Sequence, residues 1–157
     1  MKITLNIAEQ KLAMYIAKAR YDNNRAKGNP DTKLSSQSNK EIELDGISGE
    51  LVVCKMLNVY PDTGTDDIVP PKYDLMSANG SKVDVKTTKY ASGRLLATKN
   101  KKLGDCDIYV LVTGIFPTYK IVGWCRDDEL LKKENLIDLG RGEGYALTQD
   151  KLRAFSC

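Results

Sequence analysis

The feature that most constrains the fold is an Asn-Gly pair between two short runs in which apolar and polar residues alternate. Asn79-Gly80 separates residues 73–76 from residues 82–87, and this pair favours the tight turn of a β-hairpin. Because side chains alternate across a strand, Val83 and Val85 lie on one face and polar side chains lie on the other. The polar stripe consists of Lys82, Asp84, Lys86 and Thr88.

Helical periodicity precedes this hairpin, and strand-like runs follow it. Apolar spacing predicts helices over 7–27 and 43–58, separated by a polar loop over 28–40. Residues 108–113 form an apolar run typical of a central strand, which we expect to pair with residues 119–124. The remaining predictions are a short helix or an irregular basic loop within 90–105, a short helix over 127–133, a loop over 140–144 and a last helix over 148–155.

This order of elements predicts a single α/β domain in which a mixed β-sheet is flanked by α-helices. A chain of 157 residues has the length of one ordinary domain. We divide it into an N-terminal helix and loop extension over 1–42, a core with the candidate site over 43–125 and a C-terminal helical region over 126–157. The loop around Ser35 and the N-terminal helix are our candidates for contact with a specific substrate or partner.

The sequence contains no histidine, which excludes several classes of enzyme. A Ser/His/Asp triad, a Cys/His pair and a His-ligated zinc site all need an imidazole. A cysteine enzyme would need another activator, and none is apparent beside Cys54 or Cys125. Because Cys54, Cys106, Cys125 and Cys157 are scattered without a C-x-x-C pair, we expect neither disulfides nor a zinc site.

Several features of the sequence predict a protein of the reducing cytoplasm. Residues 1–6 lack the apolar core of a secretory signal. No apolar run approaches the roughly 20 residues that span a bilayer. We therefore expect no membrane partner, and the oligomeric state stays open, with a homodimer as one alternative.

Two aspartates flank the hairpin turn and can approach each other across the strands. Asp74 and Asp84 would repel each other unless a cation lay between them. An oxygen-lined site suits Mg²⁺ or Mn²⁺. Lys86 points the same way as Asp84, so its ammonium can orient an attacking water or a phosphate oxygen. The alternatives are an exposed ion pair between Asp84 and Lys86, a turn cap at Asp74 and a solvated Glu50 on the second helix.

The order of these residues resembles the PD-(D/E)xK superfamily of metal-dependent nucleases. The similar pattern is Glu50 on a helix, then Tyr73-Asp74-Leu75, then residues 83–88 with Asp84-Val85-Lys86, and residues 46–53 resemble the family's first helix. Tyr73 stands where the family commonly has proline, and Asp84 stands where it more often has glutamate. The resemblance implies a restriction-endonuclease-like core, αβββαβ, with an extra N-terminal helix.

The resemblance also implies a function and a set of site residues. Asp74, Asp84 and the Val85 carbonyl would bind Mg²⁺ or Mn²⁺. Lys86 would orient the water or the phosphate, and Glu50 would be a ligand, often through water, or would assist a second ion. The expected activity is hydrolysis of DNA phosphodiesters. The alternative is a module on the same fold that binds nucleic acid or protein without catalysis.

Charge is distributed unevenly around this pattern. The chain has 24 basic and 21 acidic residues, a net charge of +3. Residues 61–74 are rich in aspartate, whereas residues 87–104 contain basic residues and no acidic one. A basic segment beside the site could bind a phosphate backbone, and the alternative is a solvated loop. The candidate DNA-binding residues are Thr88, Lys89, Arg94, Lys99, Lys101 and Lys102, with Tyr90 between them.

Overall fold

The computed structural model of the chain describes residues 1–28, 38–66 and 69–156. Most of the predicted polar loop over 28–40 lies outside these ranges. Within the same ranges, no helix combines the length and the apolar character that crossing a membrane requires.

Two long helices begin at side-chain caps. α1 (Ile7–Ala26) follows Asn6, whose side chain accepts a hydrogen bond from the Glu9 N–H. α2 (Asn39–Leu57) follows Ser38, which caps this helix in the same way, and both helices begin with a capping box. Both predicted helices are confirmed, and α2 starts before residue 43 because Ser38 caps its first turn.

Eight strands form two sheets. The larger sheet has the order β1-β6-β5-β3-β2, in which β3 and β5 are parallel and the other neighbours are antiparallel. The smaller antiparallel sheet has the order β4-β8-β7, and a short helix, α3 (Asp127–Leu130), follows β6. The strands are β1 (Lys2–Thr4), β2 (Leu75–Met76), β3 (Lys82–Thr88), β4 (Leu95–Thr98), β5 (Ile108–Ile115), β6 (Thr118–Arg126), β7 (Leu136–Asp138) and β8 (Glu143–Leu147).

The larger sheet separates two hydrophobic cores. Val110 and Val112 of β5 belong to the core that contains α1 and α2, together with Val83 and Val85 of β3. Tyr109 and Leu111, which alternate with these valines along β5, belong to a second core with the smaller sheet and α3. The chain is therefore a mixed α/β protein, as predicted, and its central sheet is covered on both faces.

The observed order of elements differs from αβββαβ. Five strands, β2 to β6, follow α2 before α3 begins. β5 and β6 are antiparallel and are joined at Phe116-Pro117, and so short a connection leaves no room for a helix between them. The predicted pairing of residues 108–113 with residues 119–124 is confirmed.

The prediction within 90–105 is wrong at residues 95–98, and the predicted last helix over 148–155 is wrong. Residues 95–98 form β4, in place of a helix or an irregular loop. The C-terminal region contains β7, β8 and a 3₁₀ turn at Gln149–Lys151, so it is not mainly helical. After this turn the Arg153 N–H donates to the Trp124 carbonyl at 2.8 Å. Gly123 permits this approach, because a Cβ there would lie 2.6 Å from the Arg153 carbonyl oxygen.

Three of the four cysteines are free thiols inside the protein. Cys54, Cys106 and Cys125 are buried and unbridged, as expected from their scattered positions. Burial raises the pKa of Cys54 and Cys125 to about 12, which disfavours a nucleophilic thiolate. Cys157 lies outside the described residues.

One ion pair attaches the C-terminal segment to α3. The Arg153 guanidinium donates to both oxygens of the Glu129 carboxylate. This contact, followed by the hydrogen bond from the Arg126 N–H, lowers the pKa of Glu129 to about 2. A pKa below its unfolded value stabilises the fold above about pH 4.5, and this contribution is lost as pH falls towards 2.

We expect Glu129→Gln to remove that pH dependence. Because the pair is partly exposed, the loss in the free energy of unfolding at neutral pH is about 1 kcal/mol. The stabilities of the wild type and the variant should approach each other below pH 4.5 and converge as pH falls to about 2. Urea unfolding at several pH values measures this. Glu134→Gln is the control, because Glu134 is exposed and lies 3.8 Å from Lys132. Parallel stability curves for the wild type and Glu129→Gln would contradict the prediction.

Candidate functional site

The hairpin leaves one edge of β3 open beside the candidate site. The Gly80 N–H donates to Ser77 in the predicted turn, where Gly80 has a φ of +86°. β2 pairs with β3 only at Lys82 and Val83. Just before β2, an oxygen of the Asp74 carboxylate accepts a hydrogen bond from the Val85 N–H at 2.6 Å. The Asp74 side chain therefore takes a position that a longer β2 would have filled with main chain.

Asp84 is a buried carboxylate on the face of β3 that is directed to the second core. It is 2% exposed and pairs in register with Tyr109 of β5. The Lys86 ammonium lies 2.5 Å from Asp84 Oδ1, and the Lys101 ammonium lies 2.5 Å from Oδ2. The predicted association of Asp84 with Lys86 is present, but it is an internal ion pair and not an exposed strand face.

The carboxylates of the site influence one another. Burial, and then the Asp84 carboxylate, raises the pKa of Asp74 to about 6. Burial, and then Asp74, raises the pKa of Glu50 to about 8. Burial alone would lower the pKa of Lys86, but Asp84 and then Asp74 outweigh it and raise that pKa. The structure thus brings Glu50, Asp74, Asp84 and Lys86 into one electrostatic cluster.

Glu50 is positioned by both long helices. It follows Gly49 of α2, and a Cβ at Gly49 would lie 1.9 Å from Thr87 Oγ1, so α2 packs directly on β3. The Glu50 side chain is 16% exposed, and its Oε2 lies 3.5 Å from Arg20 Nη1 of α1. Arg20 also donates to the Gly64 carbonyl at 3.0 Å. Arg20 was not predicted from the sequence, because no pattern distinguishes one arginine among the charged residues of α1.

The structure places Lys101 differently from the sequence prediction. Its ammonium donates to Asp84 Oδ2 and to the Lys72 carbonyl at 2.8 Å. It therefore lies inside the candidate site and not on an exposed basic surface. No sequence signal distinguishes it from Lys102, because the conformation of a loop decides which lysine turns inwards.

The other basic candidates are at least partly exposed. Arg94 and Lys99 flank β4 and are exposed, and so is Lys102. The Lys89 ammonium lies 5.5 Å from the centre of the Tyr90 ring, and Thr88 accepts a hydrogen bond from the Tyr90 N–H at 3.3 Å. These contacts agree equally with a phosphate-binding surface and with a solvated loop.

Carboxylate oxygens are ligands that a hard divalent cation takes, although in the described residues they are not arranged as a complete metal site. In the described ranges, no three Asp, Glu, His or Cys side chains gather as a metal-binding group. The ammonium groups of Lys86 and Lys101 lie where a cation would contact Asp84. Yet Asp84 Oδ1 is buried and has no aligned hydrogen-bond donor in the described part of the chain. Carboxylate oxygens of this kind, with Asp74 and Glu50 beside them, fit Mg²⁺ or Mn²⁺.

A cavity opens from Glu50 and Asp74 towards solvent. It has a volume of about 240 Å³ and lies between α1 and the segment that precedes β2. The residues that line it include Arg20, Tyr73 and Pro71. A polar substrate group can therefore approach the two carboxylates from the side of α1.

No family model matches the chain, and no curated protein matches it. A function for the site therefore has its support in the residues of the site and in their contacts.

Proposed function

We propose that the protein is a Mg²⁺-dependent nuclease that hydrolyses DNA phosphodiester bonds. The observation that supports this most directly is the buried Asp84, which has Lys86 at 2.5 Å and the Asp74 carboxylate on the adjacent main chain at Val85. Burying a carboxylate with two lysines is costly, and a solvated strand face would not require it. The resemblance to the PD-(D/E)xK superfamily gives the same reaction class.

Each residue has a distinct role in the proposed reaction. Asp74, Asp84 and the Val85 carbonyl would hold the cation, with Glu50 as a further or water-mediated ligand. A bound Mg²⁺ or Mn²⁺ would supply Lewis-acid activation of the attacking water and neutralise charge on the phosphate. Lys86, whose side chain is 34% exposed, would donate hydrogen bonds to that water or to a phosphate oxygen and orient it for in-line attack.

Thr88 and the basic residues at the end of β3 and around β4 would bind the rest of the DNA. Thr88, Lys89, Arg94, Lys99 and Lys102 would contact phosphates on either side of the scissile bond. Such contacts carry no sequence information, and they make affinity fall steeply with salt. The proposal therefore includes binding that depends on salt and little on sequence.

Cleavage assays with and without metal test the proposal. Purified protein is incubated with supercoiled plasmid, linear duplex and single-stranded DNA in Mg²⁺, Mn²⁺ or EDTA. We expect cleavage of at least one DNA form in Mg²⁺ or Mn²⁺ and none in EDTA. An RNA oligonucleotide of matched sequence shows whether cleavage requires deoxyribose. Intact DNA in every metal condition, with protein shown to be folded, would contradict the proposal.

A non-catalytic nucleic-acid-binding module is the second candidate. The observation that favours it is that each oxygen of Asp84 already has a lysine ammonium at 2.5 Å, so the carboxylate is balanced without a metal ion. Such a module would bind DNA with a clear salt slope, would not cleave it and would gain no thermal stability from Mn²⁺. Thermal unfolding with and without Mn²⁺ separates the two candidates.

A further inference from the structure

Two lysines reach Asp84 from different parts of the fold. Lys86 lies in β3, pairs in register with Leu111 of the parallel strand β5 and is fixed by the centre of the sheet. Lys101 lies in the loop between β4 and β5, where its N–H donates to the Thr98 carbonyl at 3.1 Å. Its long side chain extends from this loop to Asp84 and to the Lys72 carbonyl. Either ammonium can leave Asp84 by side-chain rotation, but only the backbone of Lys101 lies in a loop and can move with it, whereas the backbone of Lys86 is held by its pairing with β5.

We propose that Lys101 is an internal counter-ion that a divalent cation displaces from Asp84, and that the released ammonium then binds a phosphate of the substrate. Lys101 is thus a positioning residue that couples metal binding to nucleic-acid binding. This inference rests on the proposed nuclease function, and it names a residue that regulates the same site.

The charges of the site support this exchange. Each oxygen of Asp84 has a lysine ammonium at 2.5 Å, so a divalent cation that binds Asp84 would lie beside two positive charges. Departure of Lys101 would remove one of these repulsions. A phosphodiester that binds the released ammonium would hold it away from the cation. Metal and nucleic acid should accordingly strengthen each other's binding.

Lys101→Met tests the exchange, because methionine keeps much of the side-chain volume and removes the charge. Calorimetric titration with Mn²⁺ alone should show about tenfold tighter binding to Lys101→Met than to the wild type, since the competing ammonium is gone. A phosphorothioate DNA duplex should raise the Mn²⁺ affinity of the wild type about tenfold and that of Lys101→Met much less. Lys18→Met is the control, because Lys18 forms a 2.7 Å ion pair with Asp22 on the surface of α1.

The outcomes separate this inference from the nuclease proposal. Tighter Mn²⁺ binding by Lys101→Met, but not by Lys18→Met, supports the exchange, even where the wild type binds too weakly to measure. Equal or weaker binding by Lys101→Met, with measurable binding by the wild type, overturns the exchange and leaves the nuclease proposal standing. The exchange is also overturned if the duplex raises the Mn²⁺ affinity of the wild type and of Lys101→Met equally. No Mn²⁺ binding by any protein overturns both.

Folding of the variant is measured separately, because Lys101→Met leaves Asp84 with one counter-ion. Far-ultraviolet circular dichroism is recorded in metal-free buffer and in Mn²⁺. If the variant is unfolded without metal, Mn²⁺ should restore its helical signal at concentrations that do not affect Lys18→Met. A variant that stays unfolded in Mn²⁺ would count against the exchange.

Discussion

Asp84→Asn is expected to reduce metal-dependent DNA cleavage by at least about 10²- to 10³-fold, the loss typical when one stabilising group of an active site is removed. Asparagine has nearly the volume of aspartate, so it preserves the packing against the second core. It removes the negative charge that Lys86 and Lys101 contact at 2.5 Å and that would bind the cation. Cleavage rates are measured at saturating Mg²⁺, and Mn²⁺ binding is measured in parallel.

The same variant should also lose stability. Two ammonium groups beside a neutral amide would lack their counter-charge, and breaking a buried pair costs about 3 kcal/mol. Asp128→Asn is the matched control, because Asp128 pairs with Arg126 on the surface at 3.1 Å and both side chains are more than half exposed. Asp84→Glu restores a carboxylate at the cost of overpacking and should recover part of the cleavage activity. Full activity in Asp84→Asn would contradict the assignment of Asp84.

Gly49→Ala is expected to destabilise the protein by about 2 kcal/mol, within the range for overpacking of a core. Its Cβ would lie 1.9 Å from Thr87 Oγ1 and 3.1 Å from Thr87 Cβ. This contact lies between α2 and β3, immediately beside Glu50, so α2 must shift outwards. Urea unfolding gives the change in the free energy of unfolding.

Gly46→Ala is a control within the same helix. A Cβ at Gly46 would meet no atom within 4 Å, so the higher helix propensity of alanine should stabilise the protein by up to about 1 kcal/mol. Thr87→Ala removes the atom nearest to the new Cβ and should reduce the cost of Gly49→Ala. Equal effects of alanine at Gly46 and Gly49, or additive effects of Gly49→Ala and Thr87→Ala, would contradict close packing of α2 on β3.

Local sequence was sufficient for the hairpin and the two long helices. Asn79-Gly80, the alternation around Val85 and the apolar stripes of α1 and α2 are short-range signals. They also placed Asp84 and Lys86 on one face of β3. The mixed α/β class followed from the order of these elements.

Long-range contacts account for the parts that sequence did not predict. The segment after residue 148 has helical spacing, yet it pairs with Trp124 because Gly123 admits its backbone. Arg20 and Lys101 join the site through loops and a helix distant in sequence from β3. Neither contact has a periodic signature, so each needed the three-dimensional structure.

The open edge of β3 has a consequence for solubility. An unpaired strand edge can recruit a strand from another molecule and begin aggregation. Here the Asp74 carboxylate accepts a hydrogen bond from the Val85 N–H, and the charged Lys86 lies one residue further along the strand. The side chains that would perform chemistry therefore also keep this edge from pairing between molecules.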